Sequence, residues 1–480
     1  MLQINKQLKL DTSKYSGIYE DVVPKKHLLR LIKENIDFSF VNKLMESSYC
    51  IEFGRPAKEP ELMLKYEFLK SLHDYSDREV SSRSETDMAF KYFLDLDPEE
   101  EVPHHSLLAK FRTVRATEEQ LQEFLNATVR QALEKKIIKS KTIITDSTHT
   151  RSKHTPQTPT QILREMTKKL RKEIHKTQNE VSNIFPEKPT VEDDILEEIE
   201  YTKKLVEALS KVELTSEKAT KQLAKVVETL ELPNLVELQS NLDEDAKIGH
   251  KSEDCDFFGY KNHIAMTEEG IITGLSVTNG TAADCKEFET IVNQTIENGV
   301  EVTDVSGDKA YSTSDILKYG ELNNINIISK LKDNVTSKEY TSEFVNFNKD
   351  ADTYECVTGC LAKANKPRKN GTIGYSFRRS DCSKCPFKDK CIDNKKDGYK
   401  KIVKNIDCEL FSRHREFEQT DEFKEKAKSR WKIEQRNAHL KNEYGLKKTY
   451  GTGLKSMKAQ SFLVAFTANV VKITKLIGVN

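Results

Sequence analysis

The residues with the clearest chemical potential are carboxylates placed where hydrophobic runs break. In Lys141–Arg151 (KTIITDSTHTR) the β-branched stretch Thr142–Thr145 stops at Asp146 and passes at once into polar residues, as in a buried strand that delivers one carboxylate to a sheet edge. Val300–Ser306 reads as another strand, ending in Gly307-Asp308-Lys309-Ala310-Tyr311. A third acid is found in Arg430–Lys441 (RWKIEQRNAHLK), where helical spacing puts Arg430, Glu434 and Lys441 on one stripe, a carboxylate flanked by two cations. Each has a plain structural alternative: an Asp at a strand end forms turns, and a helical Glu pairs with a neighbouring Arg in solvent.

Together the three acids would do more than any one of them. Carboxylates brought close repel, and a divalent cation relieves that cost. Mg²⁺ takes a few carboxylates together with water and phosphate oxygens, and two ions about 4 Å apart can activate a nucleophile and stabilise the leaving oxygen of a phosphodiester. Asp304 competes with Asp308 for the second position, but it lies inside the run and its neighbours do not lead into a turn, so Asp308 is preferred. A separate cluster, Cys382-Ser-Lys-Cys385 with Cys391 close behind, has zinc-knuckle spacing, and Cys356 or Cys360 can supply a fourth thiolate. Structural Zn²⁺ would organise a segment with little apolar periodicity; reduced, partly buried cysteines are the alternative. Cys50, Cys255, Cys285 and Cys408 are expected only to pack, and an odd total of nine argues against a disulfide framework.

These residues need elements to carry them, and 480 residues imply two or three domains. Residues 1–136 read as an all-α domain with helices at 25–33, 37–46, 59–74, 77–94 and 118–135. Within it, Ser76–Phe90, Pro103–Leu107 and the basic Lys110-Phe111-Arg112 suggest a helix-turn-helix that meets DNA. Residues 137–331 read as an α/β core whose order is strand, hairpin, helix, strand, helix, strand. That is the order of a mixed five-stranded ribonuclease H-like sheet once an insertion at 155–240 is set aside. The insertion reads as a hairpin of two long helices over Gln161–Glu231, and Asp284 as the N-cap of a helix to Asn298. Residues 332–412 form a Cys-rich insertion, and 413–480 a long charged helix, Arg413–Leu446, and an apolar one that complete the core.

Lys+Arg and Asp+Glu are both 77, so a nucleic-acid surface must come from local segregation of charge. Residues 421–458 supply it, with eleven Lys or Arg against five Asp or Glu. No run of eighteen uncharged apolar residues occurs, and Ser461–Val479 reads as an amphipathic core helix, so no membrane association is expected and the protein is placed in the cytoplasm.

The ordered set resembles the DDE-type transposases of bacterial insertion sequences over residues 15–475. In that family the first Asp follows the first strand, as Asp146 does in TIITDST, and the second lies in a D-K-x-Y pattern, matched by Asp308-Lys309-Ala310-Tyr311. The third element is Tyr-x2-Arg-x3-Glu-x6-Lys; Arg430, Glu434 and Lys441 take its last three positions and Ala427 stands at the tyrosine. Asp243–Lys251 and Phe258–Lys261 are similar to the family's approach to its second strand. The resemblance implies that Asp146, Asp308 and Glu434 hold two Mg²⁺ or Mn²⁺ ions, which drive cleavage of a DNA strand and attack of the freed 3′-hydroxyl on another phosphodiester. It further implies DNA contacts by Arg430, Lys441, Lys309, Tyr311, His149 and Arg151, with Thr148 also facing the DNA. Trp431 either stacks on a flipped base or packs in the core. The implied partners are double-stranded DNA, as terminal inverted repeats and target, and a second copy of the chain in a synaptic homodimer. The rival readings are a nuclease without strand transfer and a non-catalytic DNA-binding descendant.

Overall fold

Residues 142–151 form the strand on which the sheet is built. The computed structural model describes residues 15, 17–50, 56–189, 194–240, 242–252, 255–333, 335, 340, 342–368, 371–392 and 397–478. β1 (Thr142–Arg151) has parallel β5 (Asp304–Ser306) on one side and antiparallel β3 (Cys255–Thr267) on the other, after β2 (Lys247–Ser252) and before β4 (Ile272–Asn279) in the chain. β6 (Asn326–Ile328) lies parallel to β5 at the far edge. On its other side β3 pairs with β4 and, through its first residues, with β2. This makes a mixed sheet flanked by helices, compatible with a ribonuclease H-like core.

The sheet has six strands where five were expected, because Lys247–Ser252 adds to β3. Gly259 sits at the handover, paired with both Arg151 and Lys247. Its φ is +156°, and a Cβ there would meet the Thr150 carbonyl oxygen at 2.1 Å, so only glycine lets β1 and β3 approach. Nor does the first strand end at Asp146. The polar residues after it stay in register with β3 as far as Arg151↔Gly259, whereas the parallel pairing with β5 ends at Ile144↔Ser306. Asp146 therefore emerges where one neighbour stops and the other continues. Cross-strand pairing overrides the polar composition of the second half of β1.

Successive β1 side chains enter two cores: Ile144 faces the N-terminal helices and the helix Leu454–Ile477, Ile143 the helix Phe288–Glu297. The first core is continuous from Leu29 through Phe68 and Phe124 to Phe466 and Ile473, so the N-terminal helices and the sheet share one apolar interior. Helix 454–477 is buried nearly all round, not on one face. Its Asn469 accepts from the Ile272 N–H (2.8 Å) and donates to the Ile272 carbonyl (2.7 Å) and to Thr128 Oγ1 (2.9 Å), tying sheet edge and N-terminal helices together. No helix among the described residues is long and apolar enough to cross a membrane.

Several helical expectations are divided by caps. The run 77–94 breaks at Asp87, which caps a new helix, Met88–Phe93, by accepting from the Ala89 and Phe90 N–H groups. Among the described residues the insertion holds three α-helices rather than two, Pro159–Thr177, Ile195–Ser210 and Glu217–Leu230, around Leu163, Leu170, Leu205 and Val226. The run 413–446 is three helices, Cys408–Glu418, Asp421–Ala427 and Trp431–Asn442, with Thr420 capping the second and a 3₁₀ turn, Lys428–Arg430, joining it to the third. In the suggested helix-turn-helix, Arg112 is not open to DNA. It is clamped between the buried Glu67 (2.6 Å) and Asp77 (2.7 Å).

The Cys-rich segment has the apolar centre its sequence pattern hides. β7 (Val345–Asn348) pairs with β8 (Thr353–Cys356), and β10 (Thr372–Ser376) lies between β9 (Lys363–Ala364) and β11 (Lys401–Asn405). Tyr354, Tyr375, Phe377, Val345 and Ile402 fill the space between them. Cys356, Cys360, Cys382 and Cys391 pack against this core, Cys408 is buried, and Cys50, expected to pack, is exposed.

Candidate active site

The parallel pairing of β1 and β5 puts Asp146 and Asp308 on one cleft. Gly307 makes this approach close: a Cβ there would stand 2.7 Å from the Tyr311 ring and 3.0 Å from Thr145 Oγ1. Asp308 then caps the turn Lys309–Tyr311 through Ala310 N–H to Oδ1 (2.8 Å), while Ser329 Oγ donates to its carbonyl. Asp146 Oδ2 accepts from Asn437 Nδ2 at 3.0 Å. Burial and then the charge of Asp308 push the Asp146 carboxyl up to about 6. Asp304, the competitor, stands at the opposite end of β5, where Lys426 (2.7 Å), Asn326 and Thr303 hold it. Its carboxyl is held low by Lys426 and its other hydrogen-bond donors against the opposing effect of burial, as in a structural ion pair.

Helix Trp431–Asn442 brings Arg430, Glu434 and Lys441 to the same cleft. It is seated by Ile433 and Leu440 in the main core and by Arg436, whose Nη2 donates to the Ala468 carbonyl at 2.8 Å. Glu434 is exposed and paired with Arg430 (2.8 Å). Among the described residues no three His, Cys, Asp or Glu side chains stand close enough together to hold a metal ion. Asp146, Asp308 and Glu434 thus line one cleft without forming a three-residue ligand set. Carboxylates lining one part-buried cleft nevertheless suit Mg²⁺ or Mn²⁺, and the buried Asn437 Oδ1 beside Asp146 lacks a hydrogen-bond partner. Cys391 lies in the electrostatic field of Cys382, Cys385 and Cys356, and burial and then these neighbours push its thiol up; among the described residues no group of three stands close enough to hold a metal ion.

Of the expected DNA contacts, Trp431 is exposed beside the helix stripe, not in the core. Arg151 is exposed, and its backbone exchanges hydrogen bonds with Lys447 and Thr449. Lys309 is exposed and pairs with Asp333 (3.0 Å). His149 lines the cleft, stacked on Phe257 (4.7 Å between centroids) with Lys441 Nζ 3.4 Å from its Nδ1. Against expectation, Tyr311 is 1% exposed and packs on Phe288, its ring drawn inward by the tight turn at Gly307. Thr148 is largely buried on the paired strand β1 and lines the cleft.

Sequence reasoning missed Asn437, Lys261 and Asp284. Asn437 lies between Glu434 and Lys441 on their helix and could have been found from that stripe. Asp284, expected as a helix cap, makes no cap hydrogen bond; Lys261 takes its carboxylate at 3.0 Å and it faces the cleft.

A transposase DDE domain model matches residues 144–470. The chain belongs to this transposase family. A second transposase domain model (DUF772) matches residues 18–114 of the N-terminal helices. Neither a curated protein nor a solved structure matches the chain. The DDE match extends from β1 into the last helix, so in this transposase it encloses the cleft, the helical insertion and the Cys-rich module alike.

Proposed function

We propose that this transposase cleaves DNA at the ends of its element and joins the freed 3′-hydroxyl to a second DNA, with Asp146, Asp308 and Glu434 as the acids of one divalent-metal site. The observation that carries the reading is that Asp146 and Asp308 line one cleft. Burial and then the Asp308 charge hold the Asp146 carboxyl at about 6, a cost that a cation would relieve, and both acids adjoin the cationic wall of Arg430, Lys441 and Lys261. A bound Mg²⁺ or Mn²⁺ would activate the attacking water or hydroxyl and neutralise charge on the leaving oxygen.

The chain's own groups do the rest. Asn437 fixes Asp146 through its amide, and the Asp308 turn fixes the second acid. Arg430 and Lys441 take phosphates beside the scissile bond, and fixed positive charge there stabilises the charge that develops on it. When a phosphate takes the Arg430 guanidinium, Glu434 is released to turn inward. His149 on Phe257, the exposed Trp431, Lys309 and Arg151 extend the DNA-facing surface. A homodimer synapses two element ends, and the protein works in the cytoplasm on nucleoid DNA.

Incubation with labelled DNA bearing the element's own ends and flanks, in Mg²⁺, tests this by scoring cut and joined products separately. Joined product is the expected result. Cutting without joining would favour a nuclease, and binding without cutting a non-catalytic descendant.

A further inference from the structure

The cleft contains a carboxylate that the three-acid reading leaves unused. Asp284 leads the turn 284–286 between β4 and helix 288–297, and this turn packs on the Lys309–Tyr311 turn that follows Asp308. Its side chain lines the same cleft as Asp146 and Asp308. Two buried polar atoms beside it lack hydrogen-bond partners. The Tyr311 hydroxyl, on a residue 1% exposed, lies in the field of Asp284, Asp146 and Asp308 together. The fully buried His263 presents Nδ1 at 3.8 Å from Asp284 Oδ1, beyond hydrogen-bond range, its Nε2 being bound to Thr278. Unpartnered buried donors and acceptors are rare in folded proteins, and two beside a cleft lined by three carboxylates mark space for a hydrated group. Glu434, by contrast, is exposed and held by Arg430.

We propose that Asp284 is a further anionic group of the divalent-cation site, holding the ion's water ligands beside Asp146 and Asp308 before DNA arrives, while Glu434 is still engaged by Arg430. This rests on the metal-dependent reading above and adds a residue to it. Lys261 is the counter-ion in the ion-free state. Its Nζ lies 3.0 Å from Asp284 Oδ1 and 2.9 Å from the Ala282 carbonyl, so a cation arriving at the cleft competes with the ammonium for one carboxylate. Groups that orient metal ligands typically contribute about 10- to 100-fold to metal affinity.

The test is Mn²⁺ binding to the full-length, DNA-free protein, read by electron paramagnetic resonance of free Mn²⁺. Asp284→Asn should weaken binding about tenfold or more. Lys261→Met should strengthen binding, because the competing cation is gone; this opposite sign guards against reading a folding defect in Asp284→Asn as lost affinity. Wild-type affinity in Asp284→Asn, or weakened affinity in Lys261→Met, overturns the proposal alone, provided Asp146→Asn has lost the ion. Wild-type protein that binds no Mn²⁺, or Asp146→Asn that binds as well as wild type, overturns the metal-dependent reading and this proposal with it.

Discussion

Replacing Asp146 by asparagine should stabilise the metal-free protein at neutral pH, although it removes a central acid. Burial and the neighbouring Asp308 raise the Asp146 carboxyl from 3.8 to about 6, so the folded state at pH 7.5 carries a charge it disfavours. A rise of roughly two units corresponds to roughly 3 kcal/mol, an upper bound because the cleft is partly open to water. Asparagine keeps the shape and an oxygen for the Asn437 amide, so the variant sheds the charge without opening a cavity. The sign with pH follows from linkage. A carboxyl whose folded value lies above its unfolded one contributes stability that is complete below about 3.8 and lost as pH rises through about 6. Calorimetry in EDTA should therefore show Asp146→Asn melting above wild type by roughly 3–6 °C at pH 7.5, with the gap closing by pH 4. Saturating Mg²⁺ should raise wild type and leave the variant unmoved. A variant no more stable than wild type in EDTA at pH 7.5 would refute the argument that the carboxylate pair is strained without a cation.

Three further outcomes follow from the packing. Arg112→Met leaves Glu67 buried without its main partner and should cost about 3 kcal/mol in denaturant unfolding, with Glu67→Gln in the same chain recovering part of the loss. Gly307→Ala forces a methyl against the Tyr311 ring and Thr145, and by displacing Asp308 should lower cleavage about 100-fold while costing about 1–3 kcal/mol in stability. Lys441→Ala should weaken DNA binding in electrophoretic shift assays and reduce the slope of affinity against salt by about one ion, with little change in melting temperature.

Much of the site could be read from the sequence because it depends on local pattern. A β-branched run ending in Asp146, a turn signal holding Asp308 and a helical stripe of Arg430, Glu434 and Lys441 each fit within about a dozen residues, and all three reach one cleft. What could not be read depends on contacts distant in the chain. Tyr311 sits in a polar turn by its sequence, but the close approach at Gly307 turns its ring into the core. The local pattern makes Asp284 a helix cap, because its partner, Lys261, lies on a strand whose position only the sheet reveals. The core of the Cys-rich module is built from single aromatic residues on very short strands, which leave no periodic signal.

Strand cleavage of end-bearing DNA in Mg²⁺ by wild type, Asp146→Asn, Asp308→Asn and Glu434→Gln, under conditions where all four bind that DNA equally, decides whether the three acids form one active site. The prediction is that wild type cuts, EDTA abolishes cutting, and each variant is slower by about a thousandfold or more, as expected for groups acting on the transition state. Wild-type cleavage by Asp308→Asn, or undiminished cutting in EDTA, would contradict the claim that these carboxylates form one metal-dependent active site.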